Sequence, residues 1–243
     1  MDPMRRLALV AGICYLITFV SIPTLALYGP VREAGYIVGS GPDTGIIVGG
    51  ILELIVALAG IGTAVALFPV VKRQNESVAM GFVGARVLEA ACIFIGVGSL
   101  LTIVALRLHP VGSDALATGD GLVAMYDKMF LIGQSIMPAI NALLLGSLMY
   151  QTRLVPRILP TLGLVGAPLL IVAQVGVLFD LWGRTSTATG MLVIPIFIWE
   201  FGLGIYLTVK GFRPEAVERL SQRRDPLWEK YTPTESNAAT LAS

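Results

Sequence analysis

The sequence predicts an all-α fold, a polytopic membrane bundle of six transmembrane helices with both termini in the cytoplasm. Three observations lead there: a composition depleted in charge, six apolar runs of bilayer-crossing length, and a lopsided distribution of lysine and arginine. Of 243 residues, 55% are hydrophobic and only 14% charged, and the mean hydropathy is +0.79. Soluble domains are about 25% charged, so lipid is the expected solvent. Glycine (27) and proline (14) are plentiful, and membrane helices tolerate both.

A hydrocarbon core of about 30 Å needs about 20 apolar residues per helix. Six stretches qualify: Leu7–Tyr28, Gly45–Val71, Ser77–Leu106, Tyr126–Tyr150, Ile158–Phe179 and Thr189–Val209. The first follows Arg5 and Arg6, yet it is longer than a signal-peptide core of about 7–15 residues and reads as an uncleaved span. The second and third exceed the minimum, which predicts tilt or protruding ends. The fourth has a blurred start, because Leu122–Met125 suits a short interfacial helix ahead of it. Short connections at 72–76 and 151–157 make helices two and three, and four and five, antiparallel neighbours.

Charge fixes the expected orientation. With the N-terminus inside, the inner segments hold Arg5, Arg6, Lys72, Arg73, Arg153, Arg157, Lys210, Arg213, Arg219, Arg223, Arg224 and Lys230, against Arg32, Arg107 and Arg184 outside. The chain divides into a six-helix domain over residues 1–213 and a cytoplasmic tail over residues 214–243, partly disordered. Within that tail, Val217 and Leu220 beside Arg219 suit a short amphipathic turn; a solvated tail is the simpler reading.

The chemistry must come from ionisable residues inside the spans: Glu53, Arg86, Glu89, Asp127, Lys128 and Glu200, with Gln134, Asn141 and Gln174 as neutral companions. Each mid-bilayer charge costs about 2.5–3.5 kcal/mol on insertion scales, so these side chains are expected to face inward and pair. Arg86 and Glu89 are three apart and share a helix face. A rise of 1.5 Å per residue puts Arg86 about 14 Å and Glu53 about 12 Å deep from opposite faces, with Glu89 level with Glu53 and Glu200 near the middle. The expectation is one polar cavity around Arg86, Glu89, Glu53 and Glu200, with Asp127 at its outer mouth. Three carboxylates about one guanidinium suit proton binding or recognition of a small ligand. A buried ion-pair network that fixes helix packing explains the same residues without any ligand, and the sequence leaves both open.

Other functions find no support. Net charge is +1, so no nucleic acid is expected. Cys14 and Cys92 lie in apolar runs, and the single histidine, His109, precedes Pro110 in a loop; no metal or cofactor site follows. No hydrolase or protease signature is present, which disfavours an enzyme. The expected partners are the lipid bilayer, a small-molecule ligand and further copies of the chain in a homo-oligomer.

Four stretches carry a resemblance: Ala11-Gly12-Ile13-Cys14-Tyr15-Leu16, Gly84-Ala85-Arg86-Val87-Leu88-Glu89-Ala90, Leu154-Val155-Pro156-Arg157-Ile158-Leu159 leading to Gly163, and Trp199-Glu200-Phe201 ahead of Val209-Lys210-Gly211-Phe212. In this order they resemble the family DUF-4386, bacterial membrane proteins defined as a domain of unknown function, over roughly residues 7 to 213. The resemblance implies a multi-span protein of the bacterial inner membrane and no established activity. Arg86, Glu89 and Glu200 fall inside the stretches that carry it.

Overall fold

Six helical segments long and apolar enough to cross a membrane run through the computed structural model, which describes residues 2–109, 112 and 114–222. They are built from α1 (Pro3–Ile17), α3 (Thr44–Val71), α4 (Glu76–Arg107), α5 with α6 (Ala115–Phe130 and Met137–Thr152), α7 (Ile158–Leu178) and α8 (Thr187–Val209). A four-residue helix α2 (Thr24–Leu27) follows the first, and α9 (Pro214–Ser221) follows the last. No strand occurs among the described residues. Each span packs on the next in the chain, and α1 against α8 closes the ring.

Four spans match the sequence expectation to within two residues at each end. Their limits have local causes. Asn75 caps α4 by accepting the Val78 N–H at 3.1 Å, and Ser186 caps α8 by accepting the Thr189 N–H at 3.3 Å, each satisfying a donor the helix itself leaves free.

The first span is shifted. Expected at Leu7–Tyr28, it begins at Pro3, where Asp2 accepts the Arg5 N–H, and it leaves regular α geometry after Ile17 for a 3₁₀ turn over Thr18–Ser21. Pro23 has no N–H to offer the Phe19 carbonyl, which instead accepts from Ile22 at 3.3 Å. The ladder tightens and then breaks. Residues 24–43 cross the far end of the bundle as short turns, with Tyr28 seated where Gly49 has no side chain to exclude its ring.

The fourth span differs most. Expected to start at Tyr126 behind a separate interfacial helix, it is continuous from Ala115 to Thr152, with a π-helical turn at Leu131–Ile136. Pro138 cannot donate to the carbonyl four residues back, so one rung is missing and the turn before it widens. Gly133 lies in that turn against α4, where an added Cβ would come within 2.5 Å of Cys92 Cβ.

The core concentrates at the end bearing the N-terminus, here the proximal end, around Tyr15, Leu67, Phe82, Met149, Trp199 and Leu203. Outward faces remain apolar, with Leu58, Val65, Val172 and Ile194 all exposed. Helices apolar on every side suit a hydrocarbon surround. Of the tail expected from Pro214 as a solvated segment, the first eight residues form α9 instead, with Ala216 and Leu220 buried against the core. Arg223, Arg224, Lys230 and the stretch read as disordered lie outside the described residues.

Arg5 closes the ring at the proximal end. Its guanidinium donates to the carbonyls of Leu207 at 2.8 Å and Thr208 at 2.6 Å, groups left free by the end of α8, and the positive charge suits a helix C-terminus. Charged hydrogen bonds contribute about 1.5–3 kcal/mol each before allowance for exposure. Arg5→Gln is expected to lower the thermal midpoint in detergent by about 4–8 °C. Arg6→Gln, at an exposed position on the same turn, should leave it unchanged in the same melting assay.

Candidate functional site

Arg86 lies on the inner face of α4 and is 3% exposed. Its guanidinium donates to Glu89 Oε2 at 2.9 Å and to Glu200 Oε1 at 3.4 Å, and it lies 5.2 Å from the centroid of the Tyr15 ring and 5.7 Å from that of Phe82. Asn141 on α6 donates to the same Glu89 oxygen at 2.7 Å. The sequence reading of Arg86, Glu89 and Glu200 as one group therefore corresponds to direct contact. With both carboxylates ionised the group carries one net negative charge. It also has two unequal halves: Glu89 is held tightly by two donors, whereas Glu200 is held by one long contact.

Glu200 forms part of the wall of a cavity of about 440 Å³ between the α1 end, the π turn, α7 and α8. This volume lies within the range of about 300–1,000 Å³ of small-ligand sites. Its polar lining includes Gln134, Gln174, Arg184 and Glu200, and its apolar lining includes Phe130 and Phe197. Gln174 is 3% exposed, and its Oε1 has no hydrogen-bond partner among the described residues. The cavity reaches from the 184–186 connection down α8 to Glu200, about 20 Å of helix.

Glu53 does not join the arginine. It is fully buried and accepts from Tyr126 Oη at 2.7 Å and Gln134 Nε2 at 3.3 Å; the Tyr126 ring packs edge-on against Tyr28 at 5.2 Å. Depth explains the separation. Gly50 faces Val97 and Leu101 while Gly60 faces Arg86, so Glu53 lies about 10 Å along α3 from the Arg86 level. Placing Glu89 level with Glu53 by counting inward from opposite bilayer faces ignored that α4, at 32 residues, is longer than the bilayer is thick. The short turn between α3 and α4 sets their register instead. Gln134 links the two levels, since it bonds Glu53 and lines the cavity.

Asp127, read as the cavity mouth, lies one step behind it. Both its oxygens accept from Arg32, at 2.7 and 2.6 Å, and that carboxylate holds the Arg32 guanidinium above its ordinary pKa. Arg184 Nη1 stands 3.6 Å from Asp127 Oδ1 and its guanidinium covers the Phe130 ring at 4.3 Å. Arg184 is the residue at the mouth. Sequence reasoning counted it only for orientation, and nothing local marks it; Gln134, Asn141 and Gln174 did announce themselves as amides in apolar spans. Among the described residues no three His, Cys, Asp or Glu side chains come together as a metal cluster would require.

The unequal halves predict unequal mutants. Glu89→Gln leaves a buried guanidinium with its weaker partner and is expected to cost about 3–5 kcal/mol. Glu200→Gln, on a longer contact that leaves Arg86 its tighter carboxylate, is expected to cost less than about half as much. Thermal midpoints of the two purified variants check the ranking.

A family model described as a domain of unknown function, DUF4386, matches residues 10–211, and the chain belongs to this family. Neither a curated protein nor a solved structure matches it.

Proposed function

We propose that this member of DUF4386 binds, and carries, a small molecule or proton through the Arg86, Glu89 and Glu200 group, in the inner membrane of a bacterium with both termini inside. The supporting observation is that the Glu200 carboxylate is shared between a buried arginine and the wall of a ligand-sized cavity. A network serving only to lock helices gains nothing from leaving one carboxylate half-paired beside a cavity. Orientation is supported by the distribution of cations. The proximal end has basic residues at each connection, while at the far end Arg32 and Arg107 pair with Asp127 and Asp43, and basic residues favour the cytoplasmic side.

The alternative is a structural or accessory subunit whose charges fix packing. It is favoured by the Arg86, Glu89 and Asn141 half alone, where each partner is buried. Labelling separates the two. In a Cys14→Ala, Cys92→Ala background, a cysteine replacing Val193 on the cavity wall should react with a membrane-impermeant maleimide in intact cells. One replacing the lipid-facing Val87 should not. Failure of the Val193 position to react from either side of the membrane, with the protein folded, would favour the structural subunit.

A further inference from the structure

The two ends of the cavity carry opposite charge. At the floor, one guanidinium serves two carboxylates, and the carboxylate on the cavity wall is the weaker held. Glu200 Oε2 makes no hydrogen bond among the described residues and lines the cavity. Gln174, whose buried Oε1 is also without a partner among them, stands toward the opposite end, because Gly166 of α7 meets Ile196 of α8 and Gln174 lies about two turns further toward the 184–186 connection. At the mouth the balance inverts, since one carboxylate serves two guanidiniums. Arg32 occupies both oxygens of Asp127, so Arg184, 3.6 Å away, makes no hydrogen bond among the described residues and rests on the Phe130 ring. Its fork of N–H donors is uncommitted. Between the ends the lining is largely hydrocarbon and aromatic, with Phe19, Val193, Ile196 and Phe197.

We infer that the cavity takes a small zwitterion whose ammonium and acid groups are separated by an alkyl chain, with the ammonium on Glu200 and the acid on Arg184. This rests on the binding function proposed above and names its ligand class. Each recognition element has a physical warrant. An ammonium brings to the floor the positive charge that the floor lacks, and its donors meet the idle oxygen of Glu200. A carboxylate or phosphate matches the planar fork of arginine in a bidentate fashion. A ligand with one charge satisfies one end and leaves the other without its partner, which is how polar sites reject an incomplete analogue. An α-amino acid, whose charges adjoin, cannot touch both Glu200 and Arg184, which line opposite ends of the cavity.

The probe is 6-aminohexanoate, titrated against the full chain in nanodiscs of phosphatidylcholine and phosphatidylglycerol, with hexylamine, hexanoate and glycine as comparisons. Expected is binding of 6-aminohexanoate at least about ten-fold tighter than either singly charged analogue or glycine. Arg184→Gln should bring its affinity down to that of hexylamine, and Glu200→Gln down to that of hexanoate. Repeating the titration with phosphatidylethanolamine in the disc tests a lipid source of the same chemistry, since a headgroup occupant would weaken 6-aminohexanoate. Equal binding of 6-aminohexanoate and hexylamine overturns the zwitterion while leaving a cation-binding cavity standing. Binding of none of the four, in a disc with or without phosphatidylethanolamine, overturns the zwitterion class, and the Val193 labelling result then decides whether the cavity reading falls with it.

Discussion

A guanidinium enclosed by helices cannot be left uncompensated, and the way Arg86 is compensated organises the bundle. Glu89 comes from its own helix, Asn141 from α6, Glu200 from α8 and the Tyr15 ring from α1. In the ring of spans α4 and α8 are not neighbours, so the Arg86–Glu200 contact runs across the interior. Four of the six spans therefore meet around one cation, α6 by way of Glu89. Hydrophobic packing gives little preference among helix arrangements when the surrounding solvent is equally apolar. A buried charge with a fixed set of partners supplies the preference, a role best attested for register and specificity.

The polar interior is layered. One layer holds Arg86 and its carboxylates, and a second, about 10 Å away along α3, holds Glu53 with Tyr126 and Gln134. Beyond them the far end is tied by arginine and aspartate, with Arg107 bonded to Asp43 and to the carbonyls of Gly39 and Gly41. The π turn lets α5 and α6 serve two layers. It places Gln134 toward Glu53 and Asn141 toward Glu89, although a plain α-helix would put residues seven apart on nearly the same face.

Most of the fold was legible because a bilayer imposes a length and a polarity that single residues cannot disguise. Four spans followed from apolar runs alone. The first span was misread where Pro23 removed a rung, since hydropathy is blind to the backbone ladder. The fourth was begun too late because Thr118, Gly119, Asp120 and Gly121 interrupt the apolar run in a stretch that is nonetheless helical. In the site, Arg86 with Glu89 was readable from helical spacing, and Glu200 from its depth. Glu53 was assigned to the wrong layer because its level depends on the α3–α4 register. Arg184 was invisible because its importance comes from what Arg32 does to Asp127, and those residues meet only in the folded chain.

The one-turn spacing of Arg86 and Glu89 bears on how such a chain is made. Arg86 and Glu200 are 114 residues apart, which at about 5–20 residues per second means many seconds of synthesis between them. Throughout that interval α4 must exist without its partner on α8. Because Glu89 rides on the same helix, α4 leaves the ribosome already carrying its own counter-ion. The looser bond to Glu200 forms only when the last span arrives. The tight pair is thus the one needed to survive assembly, and the loose one is added after the risk has passed.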